Sequence, residues 1–154
     1  MLSPNPYLTL STALGFSAAD LNANRLGVLT PYQRTMLVNQ RSRSLAVPAA
    51  LTLLLLALGY ALQAEFILVA FIAVCLMTIM VATWQRYRDD LDSPVEVVVG
   101  QWALHNLTFG RQMALINGQT FNLPKHLKNA FNENVRYRLY YTAGTRTILS
   151  AEIL

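Results

Sequence analysis

Residues 45–84 are almost wholly apolar, and no other feature limits so strongly what this chain can fold into. The one charged group in the middle of that stretch is Glu65, preceded by Gln63 and Ala64. As a single helix the stretch would run roughly 60 Å at about 1.5 Å per residue, twice a hydrocarbon core of about 30 Å. Broken at 63–65 it gives two lengths, 45–62 and 66–84, each close to what a crossing needs. A charge at mid-bilayer is costly, so Glu65 belongs in the turn. The pattern predicts a transmembrane helical hairpin with a very short loop. Two buried core helices are the alternative, but a chain of 154 residues lacks the apolar shell to cover them.

The flanks predict the orientation. Arg34, Arg41 and Arg43 precede the first apolar length, Arg86 and Arg88 follow the second, and the turn carries no Lys or Arg. Basic residues in short loops stay on the cytoplasmic side, so both termini are expected there, in the inner membrane of a bacterial cell. Trp84 and Tyr87 fall where interfacial aromatics sit. Gly59 and several alanines on both lengths allow the close approach that a short turn requires. Pro48 falls in a first turn if Ser44 is the N-cap.

Composition agrees: the chain is 54% hydrophobic and 13% charged. Its net charge of +4 divides into +3 for residues 1–44, −2 for 45–94 and +3 for 95–154. Modestly basic flanks suit apposition to anionic lipid. Cys75, the single cysteine, lies inside the second apolar length and has no intrachain partner for a disulfide. No basic region precedes an early apolar run, so no cleavable signal peptide is expected.

Three regions follow: an N-terminal segment with short helices (1–44), the hairpin and its linker (45–92) and a C-terminal β-domain (93–154). In the first, residues 1–16 show no clear periodicity. Ser17 through Asp20 have the form of a capping box, and Gly27 suits the residue just past a helix end. Thr30-Pro31-Tyr32-Gln33 predicts a second start, with a helix from 31 to about 43. The second apolar helix should continue past Arg88 and break at Ser93-Pro94. Asp89, Asp90 and Asp92 are expected to solvate the linker and pair with Arg86 and Arg88, because nothing nearby supplies further oxygens for a cation.

From Val95 the period changes to two. A strand over 95–104, with a bulge or bend at Gly100, is followed by 112–116 and 119–123 around Asn117-Gly118, a strong hairpin signal. A short helix over 125–131 would bring Leu127, Ala130 and Phe131 to one face, and strands over 135–141 and 145–153 follow. The predicted class is membrane α+β: a two-helix transmembrane hairpin, then a small five-stranded barrel-like domain in the order β-β-β-α-β-β. That order suits an oligonucleotide-binding-like or SH3-like barrel. Two membrane helices followed by such a barrel resemble, in element order over about the last 110 residues, the membrane-anchored NfeD-type proteins of bacteria. No residue role is carried over from that resemblance.

No catalytic constellation is visible. His105 and His126 stand in separate elements without zinc spacing, and there is no glycine-rich phosphate loop or Gly-x-Ser-x-Gly turn. The expectation is no enzyme, no metal and no cofactor. Asn106-Leu107-Thr108 fits a glycosylation pattern that a cytoplasmic domain would never use. Alternation puts Arg136, Arg138 and Tyr140 on one strand face, where a basic and aromatic surface can hold single-stranded nucleic acid. Lys125 and Lys128, with those arginines, would instead meet anionic headgroups. Of the three readings of these residues, a plain solvated face ranks first, headgroup contact second and nucleic acid last. The functional expectation is a non-enzymatic accessory or scaffold subunit whose hairpin anchors a β-domain for protein assembly. Its expected partners are the bilayer and either another membrane protein or a second copy. A tethered module for anionic lipid or single-stranded nucleic acid is the alternative.

Overall fold

A computed structural model describes residues 6–61, 66–106, 112–122, 127, 130–132 and 135–154. Four helices come first: α1 (Pro6–Leu14), α2 (Ala18–Arg25), α3 (Pro31–Ala61) and α4 (Phe66–Asp92). Six strands follow: β1 (Glu96–Gln101), β2 (Ala103–Asn106), β3 (Gln112–Ile116), β4 (Gln119–Asn122), β5 (Arg136–Tyr141) and β6 (Ile148–Ile153).

The local signals act as their chemistry dictates. Ser17 and Asp20 close a reciprocal capping box at the start of α2. Its far end is a Schellman motif: Val28 N donates to Ala23 O and Gly27 N to Asn24 O, both at 3.0 Å, with Gly27 at φ +76°. Thr30 and Gln33 repeat the reciprocal box on α3, at 3.3 and 3.2 Å. Helix α1 carries no periodic signal; Leu10, 1% exposed, fixes it by entering the core.

Helix α3 corrects one expectation. The lead-in and the first apolar length are one 31-residue helix with Pro48 inside it. Ser44 is therefore not a cap; its hydroxyl donates to Gln40 O and meets the Tyr87 hydroxyl at 3.0 Å. Pro48 has no N–H for the Ser44 carbonyl, which sits at the edge of the apolar run rather than within it. Helices α3 and α4 are long and apolar enough to cross a membrane. They pack on each other, closely at Gly59, where a Cβ would come within 2.8 Å of the Val69 side chain. Their remaining surface is open: Leu53 is 70% and Ile67 80% exposed. The turn with Gln63 and Glu65 lies outside the described residues.

The β region is not a closed barrel. Its strands form two three-stranded antiparallel sheets, β1-β5-β6 and β2-β3-β4, and among the described residues no ladder joins them. Neither the oligonucleotide-binding-like nor the SH3-like closure is present. The run expected as one strand over 95–104 bends at Trp102, not at Gly100, and so serves both sheets as β1 and β2; counted as one, it leaves the five strands the periodicity predicts. Trp102, 1% exposed, turns inward and stacks on Phe131 with ring centroids 3.9 Å apart. Gly100 instead admits a neighbour, since a Cβ there would meet Ile116 Cγ2 at 3.0 Å and Asn117 N at 3.3 Å. The Asn117-Gly118 hairpin is present, with φ +48° and +79°, the pair that a type I′ turn needs.

Leu127, Ala130 and Phe131 pack into the core, while most of the segment expected as a short helix lies outside the described residues. Two apolar clusters flank β1-β5-β6. The larger gathers Trp102, Phe121, Tyr137, Leu139 and Tyr141, with Leu10, Ala13 and Leu14 of α1 against it. The smaller holds Val95, Tyr140 and Leu149 under Leu21, Leu29 and Met36. Helices α1 and α2 thus clasp the edge strand β6, α1 on one face and α2 on the other, and complete the cores of the C-terminal sheet.

Candidate functional site

The polar groups of the head gather along two seams. The first lies where α2 meets β5 and β6. Asn24, fully buried, donates through Nδ2 to Ser150 Oγ at 2.7 Å. The next residue, Arg25, grips Glu152 with two bonds, Nε to Oε1 at 2.9 Å and Nη2 to Oε2 at 2.7 Å. The Tyr140 hydroxyl also donates to Glu152 Oε1. The Arg25 bonds hold the Glu152 carboxyl below its usual range, although burial works against them. Burial pushes the Tyr140 phenol up, and the bond to Glu152 adds to the rise. At Asp20 burial raises the pKa, but bonds from Thr30 and Ser17 outweigh it and leave the carboxyl lowered.

The second seam joins α4 to the turn before β6. Asp90, 1% exposed, accepts from Gly144 N at 2.8 Å, Thr145 N at 2.9 Å and the Thr145 hydroxyl. The approach is so close that a Cβ on Gly144 would lie 2.2 Å from Arg86 O. Beside it Arg34 donates to Leu91 O at 3.1 Å, and the Arg41 guanidinium lies over the Trp84 ring, 4.2 Å from its centroid. Val95 N donates to Gly27 O at 3.0 Å. Asp90 thereby fixes the base of α4 to the head, Met36 seats α3 on the smaller cluster, and the two arginines hold the bases of the helices together.

Chemically these seams bind the molecule to itself. Glu152 is engaged by cation and phenol, the Tyr140 phenol is held protonated, and among the described residues neither seam offers an uncommitted nucleophile beside a general base. Among the described residues, no three of His, Cys, Asp and Glu stand together as a cation site.

The residues singled out on the strand face separate. Tyr140 is only 2% exposed and its hydroxyl is committed to Glu152, so its ring offers no platform for a base. Arg136 is exposed at the far end of β5, and Arg138 stands partly covered opposite Glu152. Lys125 and Lys128 lie outside the described residues. Asp92 pairs with Arg88 at 3.4 Å, as the linker reading expects. Asp90 departs from that reading, and Arg25 and Glu152 were not foreseen. Their partners lie 54 and 127 residues away, and no local pattern announces such pairs.

No protein-family model, curated protein or solved structure matches this chain. The likeness in element order to NfeD-type proteins also loses the closed barrel on which it was drawn.

Proposed function

We infer that the protein is a non-enzymatic membrane subunit that holds a small α+β head at the bilayer surface for assembly with another membrane protein or a second copy. The observation that carries this reading is the contrast between two surfaces of the same helices. At their bases Asp90 ties α4 to the turn before β6, Met36 of α3 packs on the Val95–Tyr140–Leu149 cluster, and Arg34 and the Arg41–Trp84 pair tie the two helices to each other, while their outward apolar faces, Phe71 and Val74 among them, are uncovered. A two-helix hairpin buries little of its own surface, so neighbouring helices complete it. Burial of Tyr140 weighs against the nucleic-acid alternative.

The experiment is crosslinking in membranes with a photoreactive residue at Phe71 or Val74. A discrete protein adduct, of constant mass from both positions, supports assembly. Lipid adducts alone would sink it.

We propose a cytoplasmic location for both termini; Arg34, Arg41, Arg43, Arg86 and Arg88, all at the head end of the helices, support it. In a Cys75→Ser background, a cysteine at Leu154 should resist an impermeant thiol reagent in intact cells and one at Gln63 should react. Reversed labelling refutes this orientation.

A further inference from the structure

A groove of about 520 Å³ lies between α1, α3 and the turn leading into β6, within the roughly 300–1,000 Å³ typical of small-molecule sites. Leu14, Met36, Leu127 and Ile148 give it an apolar floor. Thr35, Asn39 and Gln40 supply uncharged polar groups along the α3 wall, and Arg43 closes one end. Among the described residues no Asp or Glu lines it. From Tyr32 to Arg43 the groove follows α3 for roughly 16 Å at about 1.5 Å per residue.

The arginines near the helix bases differ in their commitments. Arg34 is bonded to Leu91 O, Arg41 lies over Trp84, and Arg88 pairs with Asp92. Arg43 is exposed and has no ion pair or hydrogen bond among the described residues. It stands two positions before the apolar run that begins at residue 45, so it lies at headgroup depth if α3 crosses the bilayer. An apolar trough with Arg43 at its membrane end matches an amphiphile with one negative charge. The surrounding leaflet supplies such molecules at high local concentration.

We propose that this groove binds an anionic phospholipid from the adjoining leaflet, with the lipid phosphate on Arg43 and an acyl chain along the floor between α1 and α3. This rests on the membrane placement above. It locates the lipid contact on α3, away from the β5 face.

The test uses the full chain in mild detergent, titrated with phosphatidylglycerol or phosphatidylcholine of identical acyl chains and read by native mass spectrometry. One phosphatidylglycerol should be retained about fivefold in preference, the equivalent of about 1 kcal/mol for one basic residue at a membrane surface. Arg43→Gln should bring the two lipids to parity, and Arg86→Gln, at the base of α4, should leave the preference intact. Asn39→Trp, at an exposed position on the groove wall, should lower retention of both lipids by obstructing the chain. A preference that survives Arg43→Gln overturns the proposal. So does unchanged retention in Asn39→Trp, which would put the lipid outside the groove. Alkaline washing of phosphatidylcholine vesicles carrying the protein keeps the two readings apart. Release of the chain refutes membrane placement and the groove together, whereas a stably inserted chain without lipid preference refutes the groove alone.

Discussion

The two halves of this molecule use apolar residues in opposite senses. In the head, Trp102, Tyr137 and Leu139 are buried, and the Trp102, Phe131 and Tyr137 rings pack face to face and edge to face. In α3 and α4, leucines, isoleucines and phenylalanines of the same chemistry point outward and touch nothing over most of their surface. A soluble domain could not tolerate so large an open patch, which elsewhere marks a membrane or a partner. The difference teaches that the head is specified by interlocking shapes, and the helix pair mostly by length and composition, with few specific contacts such as Gly59 against Val69.

The largest effect that could break this comparison comes from matched truncations. Leu139→Ala should cost about 2–5 kcal/mol of head stability, because the side chain is fully enclosed and its neighbours cannot collapse onto the cavity. Leu54→Ala, on the open face of α3, should change it by less than about 0.5 kcal/mol. Denaturation in mild detergent, followed through Trp102 in a Trp84→Phe background, measures both. Equal losses would show that the apolar helices are part of the head's core.

A smaller effect tests the joint between the halves. Gly144→Ala places a methyl group against Arg86 O, so either α4 or the turn before β6 must move. The expected cost is about 1–3 kcal/mol, the range of other overpacked sites. Hydrogen exchange should increase at Gly144 and Thr145, whose amides Asp90 holds. Unchanged protection there would mean the joint is loose.

The legibility of the sequence follows the same division. The two capping boxes, the stop at Gly27 and the Asn117-Gly118 turn are written within a few neighbouring residues, and each is where the pattern puts it; the apolar run gives two long helices, although the first starts at Pro31. Strand 95–104 was readable as extended, but its division at Trp102 depends on Phe131 and Tyr137, which come from distant chain. Tyr140 shows the limit plainly. Alternation gives its side of the strand correctly, yet whether that side meets water is decided by α2, more than a hundred residues earlier. The groove beside Arg43 has the same origin, since three separate elements make its walls.

The smallest effect concerns the seam that alternation could not reveal. Glu152→Gln keeps the shape and removes the charge that Arg25 grips, at an expected cost of about 1–2 kcal/mol near neutrality. Because its folded pKa is lowered from 4.5, Glu152 adds stability that is present above that value and is lost as pH falls through the lowered one. The gap between wild type and variant should therefore be widest near pH 7 and close in acid. A gap that is constant with pH would mean the ion pair contributes nothing. Asp20, also lowered, carries the same sign and will steepen the acid limb in both proteins.

The clasp of the first helices on the last strand also sets a timetable for biogenesis. Asn24 leaves the ribosome 126 residues ahead of Ser150, its hydrogen-bond partner. At about 5–20 residues per second the wait is roughly 6–25 s, during which both apolar helices are made. Until then α1 and α2 have no strand to grip, and Leu10 no core to enter. A chain truncated before β6 would leave α1 and α2 without the strand that shelters their apolar faces.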